Sequence, residues 1–164
     1  MGRIIVIEDN LVFRDYVCGM LKKEGYAIKT ACDCASACKL LAVLDCDDIV
    51  LSDLRLPDGE CTVLLKYMRT TGMKNPFIIM TDYAEVTSAV ESMKIGAEDY
   101  IPKMLLLENL MPRIKELMHK VEAKCKISIF ERKSIAFQEI NRRISLVAPT
   151  DMGVLILGEN GTGK

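Results

Sequence analysis

Apolar and polar positions fall into repeating blocks along this chain, and the period of the apolar residues switches from block to block. Ile4-Ile5-Val6-Ile7 is a short continuous apolar run of the kind a buried strand presents, and Glu8-Asp9-Asn10 follows it directly. Phe13, Tyr16, Val17, Met20 and Leu21 then recur at the spacing of an amphipathic helix, with Gly25 beyond them as its stop. Ala27 to Thr30 reads as a weaker strand, and Ala37, Leu40, Leu41 and Leu44 share one face of a second helix. Ile49 to Leu51 is again a buried run; it leads to Asp53, and Pro57-Asp58-Gly59 supplies the turn that ends it. Val63, Leu64, Tyr67 and Met68 predict a third helix closed by Gly72. Asn75-Pro76 introduces the run Phe77 to Met80, which exits at Thr81-Asp82. Val86, Ala89, Val90 and Met93 predict a fourth helix ended by Gly96. A short strand at Tyr100-Ile101 exits at Pro102-Lys103, and Leu110, Ile114, Leu117, Met118 and Val121 form the fifth stripe.

Five strand–helix units in strict alternation predict an α/β fold with a doubly wound, five-stranded parallel sheet, because parallel neighbours need crossover helices and those helices cover both faces. All strand exits then share one edge. That edge collects Glu8, Asp9, Asp53, Thr81 and Lys103, and in open parallel sheets ligands gather there.

Composition narrows the chemistry. Of 164 residues, 50% are hydrophobic, enough for a real core, and 22 Lys and Arg against 23 Asp and Glu leave a net charge of −1 without a basic stripe for nucleic acid. No apolar run approaches the length of a membrane span, so no membrane partner is expected. Seven cysteines without a regular disulfide framework, and an N-terminus that starts on a strand, predict a reducing, cytoplasmic setting. Cys32, Cys34 and Cys38 are closely spaced but have no evident fourth ligand, and read as small core residues of a helix.

Three carboxylates converging on one cleft repel each other and stay ionised together only beside a cation, for which a hard divalent ion such as Mg²⁺ is suited. The Lys103 ammonium and Thr81 hydroxyl are the groups wanted opposite such an ion, where they can hold the oxygens of a phosphoryl group passed to Asp53. The chemistry expected of this edge is phosphoryl acceptance.

With these residues in place, the stretch from Arg3 to His119 resembles the receiver domain of bacterial two-component response regulators. The resemblance implies a flavodoxin-like sheet of strand order 2-1-3-4-5. It implies that Asp53, in Ser-Asp-Leu-Arg-Leu-Pro-Asp-Gly, is the phospho-acceptor, and that Glu8, Asp9, Asp53 and the backbone carbonyl of Arg55 hold Mg²⁺. It makes Thr81 the switch hydroxyl, Tyr100 the switch aromatic and Lys103 the essential lysine, with a sensor histidine kinase as phosphodonor. It also implies a homodimer through the face of the fourth helix, fifth strand and fifth helix; the three and four spacing of Ile114, Leu117 and Val121 offers a linker helix as the alternative dimer contact. Two positions depart from the family pattern: Met104 stands where a proline usually follows the lysine, and Asp82 stands where a small residue usually follows the switch hydroxyl.

Beyond a receiver at 1–120, the charged run His119 to Lys124 reads as a helical extension into a linker at 121–133. Ile140, Ile144 and Val147 predict a helix within Ser134 to Val147, Ala148-Pro149-Thr150-Asp151 breaks it, and Val154 to Leu157 is a new buried strand. It runs into Gly158-Glu159-Asn160-Gly161-Thr162-Gly163-Lys164, the G-x-x-x-x-G-K spacing of a phosphate-cradling loop. Residues 134–164 resemble the opening of the AAA+ domain of sigma-54-dependent transcription activators of the nitrogen-regulation type. That implies a truncated piece of a longer parent, in which ATP would bind and whose partners would be sigma-54 RNA polymerase and enhancer DNA; the fragment itself is not expected to be an enzyme. A small-substrate phosphatase is disfavoured because Arg55 stands where a second acid is needed. The alternative is a degenerate receiver acting as a phosphorylation-independent interaction module.

Overall fold

The continuous apolar runs do become the inner strands. The computed structural model of the chain describes residues 2–82 and 85–128. Its strands are β1 (Arg3–Ile7), β2 (Ala27–Ala31), β3 (Ile49–Asp53), β4 (Phe77–Thr81) and β5 (Asp99–Pro102), in the order β2-β1-β3-β4-β5 and all parallel. Every residue of β3 and β4 is buried, as strands covered on both faces must be. The two edge strands are the polar ones: β2 exposes Lys29 and Thr30, and β5 carries Asp99 and Pro102, which discourage further pairing at an edge.

The helices are α1 (Leu11–Lys23), α2 (Cys34–Leu41), α3 (Thr62–Thr70), α4 (Val86–Ile95) and α5 (Leu106–Ser128). Their ends are written in local chemistry. The Asn10 side chain caps α1 by accepting from the Val12 and Phe13 amides, and Asp33 caps α2 by accepting from the Ser36 amide. Asp58 reaches across from another loop to accept from the Cys34 and Ala35 amides. Gly96 closes α4 at φ 110°, a left-handed conformation that a β-carbon disfavours. Between β3 and α3 the turn at Pro57-Asp58-Gly59 closes a two-residue hairpin, Arg55–Leu56 with Gly59–Glu60, which the apolar pattern does not foretell.

Alternate strand residues feed two cores. One face of the sheet packs Ile4, Val6, Leu51, Ile78 and Met80 against α1 and α5; the other packs Ile5, Ile7, Val50, Phe77 and Ile79 against α2 and α3. The expected stripe of α5 is buried as predicted, from Leu110 through Val121, and Leu106 joins it.

Other stripes are corrected. In α1, Tyr16 is exposed and Cys18 takes its place in the core; in α3, Val63 and Tyr67 are exposed and Leu65 is buried; Leu44 lies beyond the end of α2. The largest correction is α4. Val86, Val90 and Met93 are 81%, 46% and 48% exposed, and the helix turns Ser88, Ala89, Ser92 and Ile95 inward instead. Apolar periodicity locates a stripe but does not say which side of the helix has room. Cys32 and Cys38 are exposed and Cys34 is half-buried, so this trio is not core.

Residues Met1–Lys126 form one compact unit. The expected helix within 134–147, the strand at 154–157 and the loop residues Gly158, Gly161, Gly163 and Lys164 lie outside the described residues.

Candidate functional site

Each strand exit delivers its residue to the same edge. Glu8 leaves β1 fully buried, Asp53 ends β3 and is buried, and Asp9 stands beside them in the open. One carboxylate oxygen from each of Glu8, Asp9 and Asp53 lies within 4.8 Å of the others. Thr81, the buried last residue of β4, sits in register with Pro102, so the start of the Lys103 loop lies beside it.

Lys103 is the cation of the cluster. Its side chain is 7% exposed, and its Nζ donates to Asp53 Oδ2 at 2.7 Å and to Glu8 Oε1 at 3.2 Å. Glu8 Oε2 is 3.0 Å from the same nitrogen, close enough for an ion pair but without a hydrogen bond among the described residues. A third carboxylate, Asp82 Oδ2, lies 3.3 Å from Nζ. The ring of Phe13 lies under the ammonium, with 4.5 Å from Nζ to its centroid, a cation–π arrangement.

Burial by itself disfavours the charged lysine, but the hydrogen bonds and charges of Asp53 and Glu8 outweigh it and hold the Lys103 pKa up at about 12. The Glu8 pKa is also raised, first by burial and then by the charge of Asp53, against the pull of Lys103. Glu8 is oriented from both sides: its side chain accepts from the Asn10 amide at 3.3 Å, and its carbonyl accepts from Arg14 at 3.2 Å. The donor set is therefore hard oxygen and anionic, with a buried carboxylate oxygen that meets no hydrogen-bond donor among the described residues, which fits a small divalent cation.

The structure thus brings together Glu8, Asp9, Asp53 and Lys103, with Thr81 at the adjacent strand end. Arg55 stands two residues past Asp53, at the head of the hairpin, with its residue exposed. Tyr100 lies farther back along β5, half-buried against the α2–α3 core; its hydroxyl is buried and meets no hydrogen-bond partner among the described residues. After Lys103 the chain enters a single 3₁₀ turn, Lys103–Leu105, and passes straight into α5, with Met104 exposed and no cis peptide among the described residues.

Phe13 is the site residue that sequence reasoning placed elsewhere. It reads as part of the α1 stripe, and only the fold shows that its ring faces a lysine 90 residues away. The ion pair of Asp82 with Lys103 is likewise invisible in the sequence, where Asp82 registers only as an extra charge.

Known proteins bear on this edge. Residues 4–115 match the family model for the response regulator receiver domain. Transcriptional regulatory protein ZraR of Escherichia coli (strain K12) is similar over 169 residues at 31% identity, an overlap that takes in 98% of this chain and 38% of that protein, so the chain spans well under half of its relative's length. Among solved structures, a CheY-like response regulator receiver domain protein from Methanospirillum hungatei JF-1 superposes with a TM-score of 0.69 at 27% identity, covering 76% of this chain and 98% of that one. The beryllofluoride-activated NtrC4 receiver domain dimer shares the fold, with a TM-score of 0.67 at 23% identity over 74% of this chain and 99% of that one.

Proposed function

The chain belongs to the response regulator receiver domain family, and on that premise we propose that it accepts a phosphoryl group from a sensor histidine kinase onto Asp53. The observation that carries the reading is the Asp53 carboxylate at the open edge of the sheet, 2.7 Å from a buried lysine and within reach of two further carboxylates. Glu8, Asp9, Asp53 and the carbonyl of Arg55 would hold Mg²⁺. When bound, that ion supplies positive charge against the phosphoryl oxygens.

The chain's own groups do the rest. One Asp53 oxygen attacks phosphorus while the bond to the donor's leaving group breaks with its electron pair. Lys103 neutralises charge on the incoming oxygens, and its hydrogen bonds and ion pairs with Asp53 and Glu8 keep it protonated against the cost of burial. Thr81 meets the new phosphoryl group from the β4 end. Tyr100, whose buried hydroxyl meets no hydrogen-bond partner among the described residues, is the neighbour that repacks when Thr81 moves. Tyr100 lies on β5, which packs beside α4, and the outward Val86, Val90 and Met93 of that helix would give a receiver dimer an apolar surface on the α4–β5–α5 face. The NtrC4 receiver dimer supports that output. In a longer parent carrying the Gly158–Lys164 loop, this change would govern a sigma-54-type ATPase acting on RNA polymerase from enhancer DNA.

Incubation with acetyl phosphate and Mg²⁺, followed by intact-mass spectrometry and size-exclusion chromatography, tests the reading. The expected result is a phosphoryl mass gain that requires Mg²⁺ and disappears in Asp53→Asn. Thr81→Ala should keep the mass gain and lose the shift in elution. A chain that gains no mass under any of these conditions would be an interaction module independent of phosphorylation.

A further inference from the structure

Lys103 is claimed by one carboxylate too many. An ammonium has three protons. Asp53 takes one at 2.7 Å and Glu8 a second at 3.2 Å, which leaves the third directed among acceptors that include Asp82 Oδ2 at 3.3 Å. Phe13 closes the side of the ammonium on which its ring lies. Asp82 differs from the other two carboxylates in one respect that matters: its side chain is 64% exposed, against 1% for Glu8 and 11% for Asp53. It is the lysine's partner on the solvent side, the side from which a phosphodonor must arrive.

Two consequences follow from charge alone. The phosphoryl oxygens need the Lys103 charge that Asp82 pairs with at 3.3 Å, and they carry the same sign of charge as Asp82. Glu8, Asp53 and Asp82 are three carboxylates paired with one lysine, and Asp9 adds a fourth beside Glu8 and Asp53. We infer that Asp82 is an anionic gate on Lys103, which slows phosphoryl transfer to Asp53 by occupying the lysine and repelling the donor, and which must release the lysine as the phosphoryl group arrives. The inference rests on the phospho-acceptor reading of Asp53 and concerns its control. Atoms balance as in that reading: with acetyl phosphate, an Asp53 Oδ–P bond forms, the P–O bond to acetate breaks, and acetate departs with the electron pair.

The test compares the full chain with Asp82→Asn and Asp82→Ala, at saturating Mg²⁺ with acetyl phosphate as the probe, reading the initial rate of mass gain. Asp82 is on the surface, so both variants should fold, and circular dichroism melts check this. Removing one repelling charge at contact distance, with partial screening by solvent, should raise the rate about fivefold at low ionic strength. The ratio to wild type should shrink toward one in about 0.5 M salt, because the effect is carried by charge near the surface. Mg²⁺ affinity, followed by calorimetry without any phosphodonor, should change far less than the rate, since the gate acts through Lys103. Rates in both variants equal to or below wild type would overturn the inference while leaving Asp53 as the acceptor. A rate gain unaffected by salt would also overturn it, because steric opening rather than charge would then be the cause. If neither wild type nor variants gain phosphoryl mass, the acceptor reading fails and the gate falls with it.

Discussion

Helices α5 and α4 flank the same edge strand, and the sequence presents each as an apolar stripe, yet they are held to the sheet in opposite ways. α5 buries Leu106, Leu110, Ile114, Leu117, Met118 and Val121 in the core it shares with α1. Arg113 then ties it to β5, donating to the Glu98 carbonyl at 3.0 Å and pairing with Asp99 at 3.0 Å. α4 buries a single residue, Ser92, and shows Val86, Val90 and Met93 to solvent. A helix held by many apolar contacts opens only when the domain unfolds, whereas one held by few opens locally at small cost. By that difference α4, packed beside β5, is the helix expected to open locally, and α5, which follows directly after Lys103, is the fixed one.

The sharpest way to break that contrast is to cut both helices equally. Leu117→Ala removes a fully packed side chain and should cost about 3–4 kcal/mol in urea denaturation, as large-to-small changes in cores do. Val90→Ala, on the outward face of α4, should stay within about 0.5 kcal/mol. Equal losses would mean that α4 is packed as firmly as α5, and the contrast would fail.

The same pair of residues shows what the sequence discloses. Leu117 and Val90 both stand in regular apolar stripes, and nothing local separates them. The outcome depends on the space left between neighbours: α5 lies over a broad apolar face made by β1, β3 and β4, while α4 turns Ser88, Ala89, Ser92 and Ile95 inward. Strand existence was legible because buried parallel strands are continuous apolar runs, the strand order came only with the receiver resemblance, and Glu8, Asp53 and Lys103 were legible because strand exits share an edge. Phe13 beneath Lys103 and Asp82 beside it were not, since their roles arise from distances that only the closed sheet creates.

Next in size is the frame on which α5 rests. At the amino ends of β1 and β3, Asp48 accepts from the Arg3 side chain at 2.6 and 3.1 Å, from the Arg3 amide and from the Asp45 amide. Burial works to raise its pKa, but these hydrogen bonds prevail and the Asp48 carboxyl lies below the ordinary carboxylate value. A folded pKa below the unfolded one, about 3.9, means that this contribution is complete above that value and is lost as pH falls through the folded pKa. Asp48→Asn should therefore cost about 3 kcal/mol at pH 7, and its deficit should narrow on acidification below about pH 4. A deficit that stays constant from pH 7 down to pH 3 would remove Asp48 as the acid-sensitive group.

A smaller effect isolates how α4 is attached. Its carboxyl end is clamped by Arg69, which donates to the Gly96 carbonyl at 2.8 and 3.2 Å and also to the carbonyls of Met73 and Asn75. Burial lowers the Arg69 pKa, a sign that the guanidinium is held by neutral carbonyls more than by a counter-ion. Arg69→Ala should cost about 2 kcal/mol globally. In hydrogen exchange it should speed the amides of α4 far more than those of α5. Uniform acceleration across both helices would show that Arg69 supports the whole domain and that α4 has no separate anchor.

The smallest change should carry the opposite sign. Ser92 is the one buried residue of α4, and its hydroxyl meets no hydrogen-bond partner among the described residues, beside a small cavity of about 120 Å³ lined by Leu54, Lys66, Glu91 and Ile95 among others. A buried hydroxyl without a partner is a desolvation cost that an apolar methyl does not incur, so Ser92→Ala should stabilise the fold by up to about 1 kcal/mol. Alanine is also the better helix former. If the loose seating of α4 serves the switch, the gain should come with a penalty in output. The phosphorylation-dependent shift in elution should weaken in Ser92→Ala while the rate of mass gain at Asp53 stays as in wild type. A variant that is stabilised and still shifts fully would mean that Ser92 is merely a packing defect, and that the mobility of α4 is set by its shortage of apolar contacts alone.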